Sequence, residues 1–391
     1  MPYTRRLFLQ SMAALSALRI PFSRASAPTL PLSLALHSPW MANQIAITRS
    51  GKRFLGLPRY SARYGTPSLA RQAADGTLQP FPGNHWNNWQ PGADGGEAFV
   101  YLNSVHVFAD ETVWCVDQGA LSAGIFGEAY SRPAPGAQKI VQLDASSGAI
   151  LRILRFSETL LPPGAQLNDL RFHGSRLYIS DSGLGAILIH DLASGETLRR
   201  LSGWPQVKAS NKAPPAMLAH IKGGQTFHPP NSDMIEITAD GKWLYWAAPT
   251  GPLFRVETRY LVDRACSDAD IAARVEAVYD NNFSGGCAMD SAGNVYFCET
   301  ATRQITLWSP EGKSAVLVSD PRLIRPDGAF ISADRKLYIP VKQPVERAAD
   351  TGNGEPLFAI YSVDLPASFA GIRLGGAVTG QLAARDQSRP Q

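Results

Sequence analysis

The sequence LNDLRFHGSRLYISDSGLGAILIHDLASGETLRRL, residues 167–201, decides the fold. Three short runs in it, LRF, LYIS and ILIH, are separated by the turn sequences HGS and DSGLG, and ASGE leads into a fourth run, TLRRL. Alternating apolar and polar residues in such short runs, broken by glycine-containing turns, are typical of antiparallel strands. The stretch therefore predicts an antiparallel sheet built from successive hairpins.

The same unit occurs six times along the chain, each time with an aromatic residue at the centre of its second run. These aromatic anchors are Phe54, Trp114, Tyr178, Tyr245, Tyr296 and Tyr338. They stand 60, 64, 67, 51 and 42 residues apart, so the early units carry long connecting loops. A repeat of about 40 to 50 residues with four short strands is typical of propeller blades. We therefore predict an all-β fold, a six-bladed β-propeller that forms one domain over residues 33–365.

The last unit has no obvious fourth strand, because its pattern ends at about Leu365. The run SLALHS at Ser33–Ser38 precedes the first unit and has no partner there. We predict that this N-terminal segment is the outer strand of the last blade and closes the ring, since closure leaves no unpaired sheet edge. The tail over residues 366–391 is rich in Gly and Ala, and we expect it to be partly disordered.

Residues 1–27 have the pattern of a twin-arginine export signal. Arg5 and Arg6 precede a short apolar stretch, the segment ends in small residues, and it contains no acidic residue. An amphipathic first helix of the mature protein is the alternative interpretation. The signal predicts a bacterial protein that is periplasmic or secreted.

Removal of this segment balances the charge of the chain. Without its four arginines the 37 basic residues fall to 33, which equals the number of acidic residues. A chain with this balance has no basic surface typical of nucleic-acid binding, so we expect no nucleic-acid partner. No apolar run reaches the roughly 20 residues of a membrane-spanning helix. We expect a small molecule to be the partner.

The cysteines show no spacing typical of a zinc site. They are Cys115, Cys266, Cys287 and Cys298. If residues 287–298 form a symmetric hairpin that turns at Ala292 and Gly293, Cys287 and Cys298 face each other and can form a disulfide. Directly opposed cysteines often strain disulfide geometry, so two free buried thiols are the alternative.

Polar residues stand where each predicted inner strand begins, at the top of the central channel. They include Asn43, Asn103, Asn168, Asp169, Asp233 and Asp327. The position three residues after each aromatic anchor, on the same face, adds the acidic residues Asp117, Asp181 and Glu299. Carboxylate and amide oxygens in a ring can hold a hard cation such as calcium or bind a polar small molecule. Capping of turns is the alternative role for these side chains.

Two long insertions lie on the same predicted face as the channel top. The first contains Trp86 and Trp89, which can wall an aromatic ligand or can pack between blades. The second contains His228, our candidate for a proton-transfer residue near the channel. The chain has no HExxH or GxSxG motif.

Three segments carry a resemblance to the major royal jelly protein and yellow family. They are the stretch 167–201, WLYWAAPTGPLFRVET and GGCAMDSAGNVYFCETATRQITLW, and the likeness extends from about Ser38 to Leu365. The resemblance implies a bacterial member of a family of mostly secreted six-bladed propellers. Insect members include proteins implicated in dopachrome conversion and proteins that bind biogenic amines in the central channel. It thus implies a small aromatic or amine ligand at the channel top, with an isomerase activity as an extension. We predict no cofactor for this function.

A metal-dependent lactone hydrolase of the gluconolactonase type is the alternative function. LNDLRF and RPDGAFISADRKLYI resemble metal-binding segments of that class, which implies Asn168, Asp233 and Asp327 as ligands of a calcium ion. The acidic ligand expected on the first inner strand has no counterpart in PWMANQIAI. A non-enzymatic interaction scaffold is the third interpretation, since fold alone does not determine function.

Overall fold

The computed structural model describes residues 29–58, 66–120, 133, 136–210, 228–342, 349–350 and 356–378. In these ranges the regular secondary structure is almost all β-strand, arranged as the six blades of a propeller. The predicted fold class and blade number are thus confirmed. The predicted export signal lies outside the described residues.

The strands follow the chain in simple order. The first, β1, spans Ser33–Ser38. Blade 1 consists of β2 (Gln44–Ile47), β3 (Arg53–Gly56), β4 (Leu69–Gln72) and β5 (Leu78–Pro80). Blade 2 consists of β6 (Leu102–Val107), β7 (Val113–Asp117), β8 (Lys139–Leu143) and β9 (Ile150–Leu154). Blade 3 consists of β10 (Leu167–His173), β11 (Arg176–Asp181), β12 (Ala186–Asp191) and β13 (Thr197–Arg200).

The second half of the ring repeats this order. Blade 4 consists of β14 (Met234–Ile237), β15 (Trp243–Ala247), β16 (Leu253–Glu257) and β17 (Glu276–Tyr279), with helices α1 (Thr258–Val262) and α2 (Asp268–Ala272) before its last strand. Blade 5 consists of β18 (Ser284–Met289), β19 (Val295–Glu299), β20 (Gln304–Trp308) and β21 (Ser314–Ser319). Blade 6 contains β22 (Phe330–Ile331), β23 (Lys336–Pro340), β24 (Ala349–Asp350) and β25 (Pro356–Asp364).

Strand β1 closes the ring as predicted. It pairs antiparallel with β25, from Ser33 opposite Ser362 to Ser38 opposite Phe358. Blade 6 therefore takes its outer strand from the other end of the described chain. Closure of this kind ties the first and last blades together by backbone hydrogen bonds.

The aromatic anchors explain why the repeat folds into blades. All six are at most 5% exposed, and they pack within and between neighbouring sheets. Trp114 lies 4.7 Å from Phe172 of the next blade, measured between ring centroids. The first strands of neighbouring blades contact one another around the ring, so the starts of these strands surround one central channel.

The contribution of the closing strand to stability can be measured with two leucines of β1. Leu36 is 7% exposed and packs in the core between blades 1 and 6, whereas Leu34 is 49% exposed. We expect Leu36→Ala to lower the free energy of unfolding by about 2 kcal/mol, because it leaves a cavity in that core. Leu34→Ala is the matched control and should change it by less than about 0.5 kcal/mol. Equal effects of both variants in urea denaturation would show that β1 does not seal the ring.

The disulfide expected between Cys287 and Cys298 is contradicted. Both thiols are free and buried, and Cys287 pairs with Phe297 rather than with Cys298. The turn has an odd number of residues, since the backbone N–H of Asp290 donates the closing hydrogen bond to the backbone oxygen of Asn294 and Gly293 adopts a φ of 82°. A three-residue turn shifts the register by one, and a shift of one residue puts the two sulfur atoms on opposite faces of the sheet.

The first part of the tail is ordered. Strands β26 (Ser368–Phe369) and β27 (Ile372–Arg373) form a hairpin whose Phe369 and Ile372 are buried against blades 5 and 6. The packed region therefore extends beyond the predicted boundary at Leu365, to residue 378. Residues 379–391 lie outside the described part. Within the described part, none of the helices is long and apolar enough to cross a membrane.

Candidate functional site

An open cavity occupies one mouth of the central channel. The space in it that the centre of a water-sized sphere can reach is about 100 Å³. The structure brings together around it the residues predicted at the starts of the inner strands: Asn43, Asn103, Asn168, Asp169, Asp233 and Asp327. Pairing is irregular where β6, β10 and β18 begin. Such bulges redirect side chains, which explains how Asn103, Asn168 and Asp169 face the channel rather than a sheet face.

The asparagines form a chain of hydrogen bonds from blade to blade. The amide of Asn43 donates to the backbone oxygen of Asn103 over 2.9 Å. The amide of Asn103 donates to the backbone oxygen and to Oδ1 of Asn168, each over 3.1 Å. Asn168 donates to Ser182 Oγ over 2.9 Å. Mutual bonding of this kind holds one side of the cavity in a fixed geometry.

Below the cavity, a buried network of polar side chains crosses the channel. His106 Nε2 lies 2.5 Å from Asp169 Oδ1, and Arg171 contacts the other oxygen of Asp169 over 3.0 Å. Arg171 also makes a two-point ion pair with Glu236, over 2.8 and 2.6 Å. Gln44 reaches His106 over 3.1 Å. Burial alone would raise the pKa of Asp169, but the charges of Arg171 and His106 hold it well below its usual value.

Our sequence predictions missed His106, Arg171 and Glu236. Each stands inside an inner strand between apolar neighbours, in LNSVHV, LNDLRFH and MIEI. A polar residue inside the inner strand recurs in several of the repeats, and this recurrence could have identified the three residues. It indicates side chains that face the channel axis and satisfy one another across blades.

The opposite side of the cavity carries two further carboxyl groups. Asp327 forms an ion pair with the ammonium group of Lys342. Asp233 is partly exposed to the cavity, and among the described residues no lysine or arginine forms an ion pair with it. Burial, together with the negative charge of Asp327, raises the pKa of Asp233 to about 8. At neutral pH this carboxyl group is therefore mostly protonated.

Three acidic residues predicted at the site are structural instead. Asp117 accepts hydrogen bonds from the backbone N–H groups of Val100, Tyr101 and Gly119 and pairs with buried Lys139. Asp181 accepts from the backbone of Gln166 and Gly183 and pairs with Arg199 over 2.6 Å. Glu299 accepts from Asn282 and Thr302. These carboxylates tie loops to strands and do not line the cavity.

The aromatic and histidine candidates also lie away from the cavity. Trp86 packs on Phe99 with 5.2 Å between ring centroids, and the indole of Trp89 donates to the backbone oxygen of Ala93. His228 is exposed, although Pro230, two residues later, lines the cavity. Trp86 lies in a core shared by blades 1 and 2, Trp89 packs with Ala98, Val100 and Ala137, and neither side chain lines the cavity. Residues 211–227 of the second insertion lie outside the described part.

The cavity does not fit the calcium ion of the hydrolase alternative. A hard cation takes six to eight oxygen ligands, with carboxylates among them. Asp169 is held by Arg171 and His106, and Asp327 is held by Lys342, which leaves Asp233 as the acidic ligand. Throughout the described ranges, no three His, Cys, Asp or Glu side chains are grouped so as to hold a metal ion.

Solved structures show the same fold at low sequence identity. A calcium-binding protein, regucalcin, from Agrobacterium tumefaciens is 13% identical with a TM-score of 0.53, over 92% of this chain and 98% of its own. A luciferin-regenerating enzyme is 11% identical with a TM-score of 0.50, over 90% and 100%. A gluconolactonase from Xanthomonas campestris is 12% identical with a TM-score of 0.49, over 87% and 95%. At these identities the likenesses to the regucalcin and to the luciferin-regenerating enzyme show the fold alone.

Sequence comparison is more specific. No curated protein matches the chain. The family model described as "Major royal jelly protein" matches residues 104–322, which is more than half of the 391 residues and covers the inner strands of blades 3, 4 and 5. The chain belongs to the major royal jelly protein family.

Proposed function

We propose that this protein binds a small organic amine, with an aromatic or other apolar body, at the mouth of the central channel. The observation that carries the proposal is the carboxyl group of Asp233. It faces the cavity beside Asp327 and Asp169, and its pKa of about 8 reflects burial and the negative charge of these neighbours. An incoming ammonium group would supply the positive charge that this carboxyl group lacks.

The remaining lining suits the rest of such a ligand. Tyr101 and Met234 offer apolar surface, and an aromatic face also attracts a cation. The asparagine chain supplies fixed polar groups that orient a ligand. Family membership supports an organic ligand, and we propose export by the twin-arginine route to the periplasm or beyond.

We further propose that any turnover is an isomerisation in which Asp233 moves the proton. In the amine complex Asp233 is a carboxylate, and because its pKa lies near 8 it can take a proton from one ligand atom and return it to another. Such a reaction is balanced without an oxidant or a cofactor. Asp233 replaces His228 as the candidate for this role, because His228 is exposed and does not line the cavity.

A thermal-shift screen of the mature protein tests the binding proposal. We expect phenethylamine and dopamine to raise the melting temperature and 2-phenylethanol, which lacks the charge, to leave it unchanged. A ligand at 100 times its Kd adds about 2.7 kcal/mol to the free energy of unfolding, which is easily detected. Stabilisation by calcium with a sugar lactone instead would favour the hydrolase. No shift with any of these compounds would favour the interaction scaffold.

A further inference from the structure

Lys342 holds a fixed place at the cavity mouth. It follows β23, and its backbone N–H donates to the oxygen of Arg325 over 3.1 Å. The preceding residue, Val341, forms an isolated β-bridge with Pro326. These two contacts place the start of the lysine side chain directly beside the loop that carries Asp327, and its side chain is 27% exposed.

The ammonium group of Lys342 acts on both carboxyl groups of this side of the cavity. It is in direct contact with Asp327, and its charge also lowers the pKa of Asp233 against the larger effect of burial. Asp327 and Asp233 in turn influence each other, since the charge of Asp327 raises the pKa of Asp233. The lysine thus neutralises part of the negative charge that a metal ion would need.

The same oxygen atoms would otherwise suit a hard cation. Asp233, Asp327 and Asn168 all line the cavity, and two carboxylates with an amide oxygen and water are ligands that calcium accepts. An ammonium group and a calcium ion cannot both contact Asp327 at close range without repelling each other. The ion pair between Lys342 and Asp327 is therefore one reason why a calcium ion does not fit this cavity.

We propose that Lys342 is a tethered cation that takes the place of a divalent metal in this cavity and thereby makes the site selective for organic ligands. The inference takes the location of the site from the proposed function but does not depend on which ligand binds there. It makes Lys342 a specificity-determining residue.

The test is calcium binding by the mature protein and its variants, measured by calorimetry, with terbium luminescence as a second readout. We expect no binding by the wild type at millimolar calcium. Lys342→Met should bind calcium with a Kd of about 1 mM, a value typical of weak extracellular sites. Lys342→Arg keeps the charge and should not bind.

Two controls locate the effect. Lys336→Met removes a partly exposed lysine that pairs with Asp364, so it changes the net charge equally without touching the cavity. It should not bind calcium. Adding Asp327→Asn to Lys342→Met should abolish the gained binding, and Lys342→Gln serves as a second neutral variant should the methionine variant not fold.

Two results would overturn the inference: calcium binding by the wild type as tight as by Lys342→Met, or no gain in either neutral variant. The outcome is independent of the amine screen. If amines fail to bind and the neutral variants still gain calcium, the proposed function fails and the role of Lys342 stands.

Discussion

Asp233→Asn is expected to weaken the binding of phenethylamine about 100-fold at pH 9. The variant protein should still fold. The substitution keeps the size of the side chain and removes the charge that an ammonium group would pair with. Loss of one charged hydrogen bond in a partly buried site costs roughly 2 to 3 kcal/mol, which corresponds to about 100-fold in Kd. Calorimetric titration of the mature protein measures the change directly.

The pH dependence of the wild type gives a sharper prediction. Below pH 8 the carboxyl group of Asp233 must lose its proton before it can pair with the amine. The affinity should therefore rise by up to about tenfold per pH unit from pH 6 to 8 and level off above, with close to one proton released per amine at pH 6. Asp233→Asn should show neither effect. Titration in buffers of different ionisation enthalpy counts the proton.

The same carboxyl group affects the stability of the ligand-free protein. Its pKa is near 4 in the unfolded chain and about 8 in the fold, so the folded state binds more protons between these values. Its contribution to the free energy of unfolding therefore falls as the pH rises from 4 to 8, by at most about 1.4 kcal/mol per unit. The free energy of unfolding of Asp233→Asn, relative to that of the wild type, should therefore increase from pH 4 to 8 and stay constant above pH 8.

An exposed aspartate provides the control for both experiments. Asp94 lies in a surface loop and accepts a hydrogen bond from the N–H of Gly96. Asp94→Asn changes the net charge equally and should leave amine affinity and its pH dependence unchanged. Amine binding by Asp233→Asn as tight as by the wild type, or a pH-independent affinity of the wild type, would contradict the proposed site.

Much of the fold could be predicted because blades are local structures. Each hairpin lies within a few dozen residues, so its alternation and turns are written in one continuous stretch, as in 167–201. The closing strand was predictable because a ring leaves one strand without a partner at each end. The gathering of Asn43, Asn103 and Asn168 followed from the repeat, since equivalent positions meet around the axis.

The energetics of the site could not be predicted in the same way. Two partners of Arg171 come from the neighbouring blades, since His106 and Glu236 are each 65 residues away along the chain. No local sequence pattern specifies which charged side chains form ion pairs across blades. The role of Asp117 and Asp181 had a local signal that we did not use: each is followed two residues later by a glycine, Gly119 or Gly183, whose N–H it binds. Asp-x-Gly is typical of a turn closed by the aspartate side chain.

Asp117→Ala is expected to destabilise the protein by about 3 to 5 kcal/mol, the largest loss among the substitutions considered. Asp117 and Lys139 are both fully buried, with 2.9 Å between Nζ and Oδ2. The ammonium group also donates to the backbone oxygens of Gly95, Ala98 and Ala137. Removal of the carboxylate leaves a buried charge without a counter-ion, which is far more costly than the pair itself is stabilising.

The matched control for Asp117→Ala is Asp364→Ala. Asp364 pairs with Lys336 at the surface and its side chain is 80% exposed, so its loss should cost less than about 1 kcal/mol in urea denaturation. Asp117→Ala with Lys139→Met should regain part of the stability, because the unpaired charge is then gone. If Asp117→Ala instead is as stable in urea as Asp364→Ala but no longer binds an amine, Asp117 belongs to the binding site, as the sequence pattern alone had indicated.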